Sequence, residues 1–235
     1  NFKVKGNLDI DIPNISNNSK KVQKGDMFVA IKGFDFDGHE HIEEAIDNGA
    51  RVIMAQEGEI DKNFLKTNLD NVTLILTNDT RYALAIAACN FYKNPSKKVK
   101  LIGVTGTKGK TTTTYMIKDI LEKQGIRVGL IGTVASYVGG KKIADNDITT
   151  PESLQLQEIF SKMVEEKCEV IVMEVSSQSL KLDRVAGCDF DYGIFTNLAE
   201  DHISEKEHND IEDYFNSKLK LFKMCKKGFV NAQIY

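Results

Sequence analysis

A stretch that could wrap a phosphate group lies near the middle of the chain, at residues 100–114. Its sequence, KLIGVTGTKGKTTTT, passes from a short apolar run through a Gly/Thr-rich loop into a segment with helical spacing. Backbone N–H groups of such a loop point at an anion, and glycine tolerates the angles and the close approach required. Lys110 would neutralise phosphate charge, and the Thr111 hydroxyl can hold Mg²⁺. The stretch predicts a nucleoside triphosphate site; the alternative is an ordinary strand-to-helix turn.

The spacing of this loop departs from the strict phosphate-loop pattern. That pattern has glycine five residues before Gly109, where this chain has Val104 with Gly103 and Gly106 on either side. The Gly-Lys-Thr ending, the preceding strand and the following helix still favour nucleotide binding. The expected nucleotide contacts are Gly106, Thr107, Gly109, Lys110, Thr111 and Thr112.

Polar residues follow two apolar runs that read as buried strands. Glu174 closes the run at 168–175, where a carboxylate beside a phosphate loop is suited to Mg²⁺; the alternative is a solvated carboxylate at the sheet edge. Asp201 and His202 follow the run at 191–196. The imidazole there is either a metal ligand or substrate contact, or a structural side chain.

Two further groups of residues have side chains that could take part in binding or catalysis. Thr149 and Thr150 directly precede Pro151, which begins a predicted helix, so they offer two hydroxyls at its positive end. Lys218 lies within the predicted helix 211–224. Its local context indicates a solvated lysine.

The elements that must position these residues alternate along the second half of the chain. An alternation of strands and helices predicts a doubly wound parallel sheet, which binds ligands at the carboxyl ends of its strands. Beyond the runs already given, the expected strands are 127–133 and 228–231, and the expected helices are 115–124 and 151–167, with a hairpin tip at 139–140.

The first part of the chain predicts a smaller α/β unit. Its expected strands are 26–31, 51–54 and 72–76, and its expected helices are 40–48 and 80–91. We place the domains at 1–94 and 99–235, joined by a polar linker at 93–98. The loops at 16–20 and 35–39 either hold a ligand or turn the chain, and His39 and His41 make only a weak metal site.

Composition narrows the class of protein. The 235 residues carry a formal charge of −3, so no bulk attraction to nucleic acid or membrane is expected. The four cysteines are far apart and form no CxxC pair, which is typical of reduced thiols in a cytoplasmic protein. No apolar run reaches transmembrane length, so the sequence predicts a soluble protein without a membrane partner.

Taken together, the motifs resemble those of the Mur ligases of bacterial cell-wall synthesis. The resemblance is carried by five stretches in the same order: NSKKVQKGDMFVAIKGFDFDGHEHIEEAIDNGA, GVTGTKGKT, ITTPESL, MEVSSQSL, and TNL followed by DH. It implies an α/β fold, with a small UDP-binding domain followed by a doubly wound ATPase-type domain. The third domain of the family is absent, so the chain is expected to be a fragment that is inactive alone and does not reveal which amino acid is added.

The resemblance also implies an activity. It favours the ATP- and Mg²⁺-dependent ligase that adds the third amino acid to UDP-MurNAc-L-Ala-D-Glu through an acyl phosphate, in peptidoglycan precursor synthesis. The expected partners are this UDP-MurNAc-dipeptide and an amino acid, and a monomer is expected. The alternatives are another amide ligase of the superfamily, similar to folylpolyglutamate synthase or modifying glutamate, and a non-catalytic nucleotide-binding module.

Site residues follow from the resemblance position by position. Ser19 would contact the uridine nucleotide, although Lys20 stands where the family usually has Arg. The muramoyl-dipeptide would be held by Thr149, Thr150, Ser176 and Arg184, with Leu182 in place of a frequent polar contact. The catalytic residues would be Lys110, Glu174, His202 and Lys218. The metal would be held by Thr111, Glu174, His202 and Lys218, the last as a carbamate formed with CO₂.

Overall fold

The computed structural model describes residues 2–34, 36–60, 71–199, 203–204 and 207–232. The chain divides into two compact units, residues 1–84 and 85–235. This division lies inside the predicted helix 80–91, ahead of the predicted linker. Residues 95–98 of that linker form a short 3₁₀ helix in the second unit, with Pro95 at its start and Ser96 buried. The two functional domains of the sequence analysis stay a prediction.

The first unit is built on a five-stranded sheet with the order β1-β5-β4-β3-β2. Its strands are β1 (Phe2–Lys5), β2 (Ile15–Ser16), β3 (Met27–Val29), β4 (Val52–Gln56) and β5 (Thr73–Thr77). Strand β1 is antiparallel to β5, and the other neighbours are parallel. Two 3₁₀ helices, Ser19–Lys21 and Gly38–His41, precede helix α1 (Ile42–Asp47), and helix α2 (Thr80–Phe91) begins at the end of this unit.

The first unit is held together by apolar side chains from its strands and from one face of α1. Phe28, Ile53 and Leu74 come from three neighbouring strands and pack with Ala45 of α1 in one buried cluster. Helix α1 ends before Gly49, whose φ of +104° favours glycine. The predicted strands and helices of this unit are confirmed within a few residues, but the sequence pattern missed β1 and β2, which are exposed or very short.

The second unit contains a seven-stranded sheet with the order β12-β11-β6-β10-β7-β8-β9. The strands are β6 (Lys100–Thr105), β7 (Val128–Ile131), β8 (Ala135–Val138), β9 (Lys141–Asp145), β10 (Val170–Glu174), β11 (Phe190–Phe195) and β12 (Cys225–Val230). The five strands from β12 to β7 in this order are parallel, and the β8–β9 hairpin extends them antiparallel. The helices are α3 (Lys110–Lys123), α4 (Ser153–Glu165), α5 (Ser177–Lys181) and α6 (Ile211–Met224).

Helices cover both faces of this sheet. On one face Phe160 of α4 and Leu221 of α6 pack with Ile171 of the central strand β10. On the other face Val172 of the same strand packs with Leu121 of α3. The predicted α/β fold with a parallel sheet is therefore confirmed, and the fully buried β10 is the near-continuous apolar run of the sequence.

The carboxyl ends of β6, β10 and β11 lie side by side. Glu174 is in register with Val104, and Phe195 is in register with Thr105. The phosphate-loop stretch, Glu174 and the segment after β11 therefore meet at one edge of the sheet, as the strand-end rule predicts. Among the described residues, no helix is long and apolar enough to span a bilayer.

Candidate active site

The loop after β6 has the backbone geometry of a phosphate-binding turn. Gly106 has φ +145° and Gly109 has φ +83°, and a Cβ at Gly106 would collide with the Thr196 hydroxyl. Gly109 is the N-cap of α3, so free N–H groups of the first helical turn face the loop. Asn197 fixes the loop, because its side-chain carbonyl accepts a 2.9 Å bond from the N–H of Lys108. The geometry therefore supports the phosphate-loop interpretation over an ordinary turn.

Two ammonium groups converge on one backbone carbonyl of this loop. Lys110 Nζ donates to the oxygens of Gly106, at 2.8 Å, and Thr107, at 3.1 Å. Lys218 Nζ donates to the same Gly106 oxygen at 3.1 Å and is only 1% exposed. The reading of Lys218 as a solvated helix lysine is therefore wrong. Its place beside the phosphate loop agrees with the family resemblance.

The ring of Tyr214 packs against the ammonium group of Lys218. The two residues are one helical turn apart on α6, and Lys218 Nζ lies 4.1 Å from the centroid of the Tyr214 ring. The Tyr214 hydroxyl donates a 3.1 Å bond to Oγ1 of Thr107 in the loop. No sequence motif marked Tyr214, although its spacing of four from Lys218 placed both residues on one helix face.

Glu174 lies buried at the end of β10. Its side chain is 1% exposed, Oε2 accepts a 3.0 Å bond from the Thr111 hydroxyl, and Oε1 accepts a 3.1 Å bond from the backbone N–H of Thr133. A Cβ at Gly132 would lie 2.7 Å from Oε1, so glycine there makes room for the carboxylate. The alternative of a solvated sheet-edge carboxylate is wrong.

A hydroxyl and a carboxylate in contact are ligands that Mg²⁺ prefers. Thr111 and Glu174 therefore fit the predicted metal on donor chemistry. The third expected ligand, His202, and the adjacent Asp201 lie outside the described residues. Within the described ranges, no three His, Cys, Asp or Glu side chains form a metal-binding group.

The predicted substrate residues surround the turn after β10. Thr150 is fully buried; its hydroxyl donates to the backbone oxygen of Glu174 at 3.0 Å and accepts from the N–H of Ser176 at 3.0 Å. Ser176 is the N-cap of α5 and accepts a 3.1 Å bond from the N–H of Ser179. Thr149 lies 3.3 Å from the Thr133 hydroxyl. Thr150 thus supports the turn, and its direct contact with substrate stays a prediction.

A cavity of about 260 Å³ brings most of these residues together, and we call it the loop cavity. Its walls carry two lysines and an arginine beside hydroxyl groups, a lining suited to anionic substrates. The lining residues are Lys110, Thr133, Asp147, Ile148, Thr149, Ser176, Ser177, Gln178, Arg184, Glu207, Tyr214 and Lys218.

Arg184 is held at this wall by a carboxylate that the sequence analysis did not consider. Its Nε lies 2.8 Å from Oε1 of Glu152, and the side chain is about nine-tenths buried. The Glu152 side chain is 39% exposed, so the ion pair is only partly shielded from water, and it places a carboxylate against one edge of the guanidinium.

His208 is the other residue near the cavity that the sequence did not indicate. It is fully buried, its Nε2 lies 2.9 Å from the Ser177 hydroxyl, and its ring meets the Tyr214 ring edge-on. Burial lowers the pKa of His208, against the opposing effect of Asp213. Its surroundings in sequence are polar and without periodicity, so no local signal marked it as buried.

Ser19 lies in a separate cavity within the first unit. This cavity holds about 350 Å³ and is lined by Asn17, Asn18, Ser19, Lys20, Phe28, Phe36 and His41. The Ser19 hydroxyl donates a 2.5 Å bond to Oε2 of Glu44, which lowers the pKa of that carboxyl. Phe36 stacks on His41 with centroids 4.5 Å apart. Residues 17–20 and Phe36, from the two loops of the sequence analysis, therefore border a cavity with aromatic and polar walls, while residue 35 lies outside the described residues.

Both ring nitrogens of His39 contact neighbouring residues of the first unit. Its Nδ1 lies 2.6 Å from Oδ1 of Asp37, and its Nε2 accepts a 3.0 Å bond from the N–H of Gln56. With both ring nitrogens engaged, the side chain ties the 3₁₀ turn to β4.

Family comparisons agree with both units. The model described as "Mur ligase middle domain" matches residues 104–234, and the model described as "Mur ligase family, catalytic domain" matches residues 11–92. A UDP-N-acetylmuramoyl-L-alanyl-D-glutamate–2,6-diaminopimelate ligase from Clostridium botulinum is 51% identical over 221 residues, covering 94% of this chain and 44% of that relative. The ligase of the same name from Clostridioides difficile is 47% identical, covering 94% and 43%. The chain spans a little under half the length of these curated relatives.

Solved structures show the same fold. A structure of a UDP-N-acetylmuramoyl-L-alanyl-D-glutamate–2,6-diaminopimelate ligase superposes with a TM-score of 0.79 at 24% identity, covering 97% of this chain and 45% of that one. The MurF ligase from Thermotoga maritima in complex with ADP superposes with a TM-score of 0.58 at 27% identity, covering 91% and 43%.

Proposed function

Because the chain belongs to the Mur ligase family, we propose that the protein containing it is an ATP-dependent amide ligase acting on UDP-MurNAc-L-Ala-D-Glu. One observation carries the proposal: Lys110 and Lys218 from the nucleotide side meet Ser176 and Arg184 from the substrate side at the loop cavity. The names of the relatives from Clostridium botulinum and Clostridioides difficile indicate 2,6-diaminopimelate as the amine that is added. Such a ligase works on cytoplasmic precursors of peptidoglycan.

The reaction joins a carboxylate to an amine in two steps. The D-Glu side-chain carboxylate attacks the γ-phosphorus of ATP, ADP leaves, and an acyl phosphate forms. The amine nitrogen then attacks the acyl carbon, phosphate leaves, and the nitrogen loses a proton. Lys110 and the N-terminus of α3 stabilise the charge that develops on the phosphate oxygens.

Mg²⁺ would be held by Thr111 and Glu174 together with His202 and carbamylated Lys218, and it supplies further charge neutralisation between the phosphates when bound. In the protein alone, the Thr111 hydroxyl and the Thr133 N–H keep the buried Glu174 carboxylate in place. Lys218 Nζ donates to the Gly106 oxygen of the loop.

Each unit has a cavity with groups suited to part of the substrate. Arg184, oriented by Glu152, is suited to a carboxylate of the dipeptide, and the α5 N-terminus at Ser176 is suited to a second anionic or carbonyl group. Ser19 and the aromatic wall of its cavity are suited to the uridine.

A calorimetric titration of this chain with UDP-MurNAc-L-Ala-D-Glu, UDP alone and a folate tests the proposal. We expect the UDP-MurNAc-dipeptide to bind more tightly than UDP, and the folate not to bind. The Arg184→Met variant should lose the difference between the first two ligands, whereas Arg51→Met, on an exposed side chain of the first unit outside the Ser19 cavity, should keep it. Folate binding, or binding of ATP with no response to any UDP ligand, would contradict the proposal.

A further inference from the structure

A line of buried polar side chains runs from the substrate wall of the loop cavity to the phosphate loop. The Ser177 hydroxyl lies 2.9 Å from Nε2 of His208, whose ring meets the ring of Tyr214 edge-on at 5.1 Å between centroids. The Tyr214 hydroxyl then donates to Oγ1 of Thr107 at 3.1 Å. We call these four side chains the buried chain, since none is more than 6% exposed.

Both ends of the buried chain belong to elements with a proposed role. Ser177 is the first residue of α5, next to the N-cap Ser176, and it lines the loop cavity. Thr107 is in the phosphate loop, where its hydroxyl also accepts a 3.0 Å bond from the N–H of Ala199 and donates to the oxygen of that residue. A hydroxyl of the substrate-side element and a hydroxyl of the phosphate loop are therefore the two ends of one series of contacts.

The middle of the buried chain is fixed by charged neighbours. Lys181 Nζ donates to the backbone oxygen of Glu207 at 2.9 Å and to Oδ2 of Asp213 at 2.6 Å. The same carboxylate oxygen lies 3.6 Å from Nδ1 of His208. A carboxylate on this side favours the tautomer with a proton on Nδ1, so Nε2 accepts from the Ser177 hydroxyl.

Packing alone does not require these polar groups. A buried imidazole or phenol costs stability unless its polar atoms are paired, and an apolar side chain would fill the same volume without that cost. Here Nε2 of His208 pairs with the Ser177 hydroxyl, and the Tyr214 hydroxyl pairs with Thr107. Nδ1 of His208 is buried without a hydrogen bond to any described residue and lies 3.6 Å from Oδ2 of Asp213. Apolar side chains at these positions would lose the connection through the core between α5 and the phosphate loop.

We propose that His208 and Tyr214 are positioning residues that couple the nucleotide side of the loop cavity to its substrate side. The inference rests on the proposed function. Phosphates that order the loop fix Thr107 and, through Tyr214 and His208, the Ser177 end of α5. The ordering of that end is then already complete when the UDP-MurNAc-dipeptide binds, so each ligand raises the affinity for the other.

The test measures this coupling directly in the chain. The dissociation constant of Mg²⁺ with β,γ-methylene ATP is measured by calorimetry without and with saturating UDP-MurNAc-L-Ala-D-Glu. In the parent chain we expect the ratio of the two constants to be about fivefold or more. Tyr214→Phe, which removes only the hydroxyl, and Ser177→Ala should each bring the ratio close to one, with thermal melting little changed.

Three variants separate positioning from simple packing. His208→Gln keeps a polar atom that can meet the Ser177 hydroxyl and should retain part of the ratio. His208→Leu fills the volume without that atom and should lose it. Tyr192→Phe on β11 removes a tyrosine hydroxyl outside the buried chain and should leave the ratio unchanged.

The outcomes distinguish the inference from the function on which it rests. A parent chain that binds neither ligand overturns the proposed function and the inference with it. Binding of both ligands without coupling overturns the inference alone, as does an unchanged ratio in Tyr214→Phe and Ser177→Ala. Retention of the full ratio in His208→Leu, or its loss in Tyr192→Phe, also overturns the inference.

Discussion

The hydroxyl of Thr111 donates a 3.0 Å hydrogen bond to Oε2 of Glu174. This contact joins the first turn of α3 to the end of β10, two elements that are 63 positions apart at these residues. Glu174 is held from the other side by the N–H of Thr133. The two oxygen groups that we propose as Mg²⁺ ligands are thereby held together beside the phosphate loop, and this arrangement would reduce the ordering that metal binding requires.

Glu174→Gln should weaken the Mg²⁺ dependence of nucleotide binding. The amide keeps the size of the side chain but removes the charge that a divalent cation needs. We expect the affinity for ATP in Mg²⁺ to fall roughly 10-fold or more and to approach the affinity measured with a chelator. Calorimetry with and without Mg²⁺ checks this, with the exposed Glu166→Gln as the matched control. An unchanged Mg²⁺ effect in the variant would show that Glu174 is not a ligand.

Lys110→Ala should remove much of the affinity for ATP. The ammonium now donates to two loop carbonyls and lies where phosphate charge is expected. By analogy with the loss of one electrostatic stabiliser, we expect a decrease of roughly 10²-fold in nucleotide affinity or in turnover of the whole protein. Lys108→Ala is the control, since that side chain is exposed in the same loop. Equal ATP affinity in both variants would contradict the assignment.

UDP alone should bind at the cavity around Ser19. The Ser19 hydroxyl is committed to Glu44, so binding is expected to disturb that bond and shift the amide resonances of residues 16–20. Ser19→Ala should weaken UDP binding by about 3- to 10-fold, the usual effect of one hydrogen bond. Chemical-shift mapping provides the measurement. No response of these resonances to UDP would refute the predicted uridine contact.

The parts of the site that local sequence determines were predictable. A strand, a glycine loop and a helix are consecutive in the chain, so residues 100–123 revealed both their structure and their chemistry. The buried strand β10 was equally readable, because a parallel strand covered on both faces is apolar at every position except its end.

Lys218 could have been found by the same kind of reasoning. It lies four residues after Tyr214 and three before Leu221, and all three are buried on one face of α6. The prediction that Lys218 is exposed to solvent was based on the charge of its side chain and not on its position in the helix. Only long-range packing reveals that Gly106 supplies an acceptor at that point.

His208 could not have been predicted from its local sequence. Its burial depends on Ser177, 31 positions away, and on the ring of Tyr214. A polar loop that folds inward has no periodic signature. Such contacts are fixed by tertiary structure alone.

The stability of the second unit should fall in acid through His208. Burial lowers the pKa of this imidazole from its ordinary 6.5; Asp213 opposes the shift, and Lys181 and Lys218 add to it. The unfolded chain therefore binds more protons below about pH 6.5, so the free energy of unfolding decreases as the pH falls through that range. The contribution of Asp213, whose pKa is lowered from 3.8, is lost only at more acid pH.

Thermal melting from about pH 8 to about pH 5 provides the measurement. His208→Gln should show a shallower loss of melting temperature than the parent, since its side chain does not titrate. An equal slope in the two proteins would mean that another group controls the acid transition.

Lys218 should be carbamylated in the competent enzyme. The Lys218 ammonium would first lose one proton, and the neutral amine would then react with CO₂ to form a carbamate and release a second proton. A cation beside the metal site would thereby be replaced by an anion that offers two oxygens. The carbamate nitrogen keeps one N–H, so its bond to the Gly106 oxygen can persist. The long side chain reaches from α6 to the loop, a distance that Asp or Glu at this position would not span.

Two substitutions in the whole protein test this modification. Lys218→Ala should be nearly inactive and partly rescued by a short-chain carboxylate at high concentration, which restores the missing anionic oxygens. Lys218→Arg should stay inactive, because a guanidinium keeps the positive charge and does not form the carbamate. Carbon NMR with labelled CO₂ should show one carbamate signal in the parent and none in either variant. If Lys218→Arg retained activity, or if the parent gave no carbamate signal with ATP and Mg²⁺ present, the buried amine would act as a cation beside the loop and not as a metal ligand.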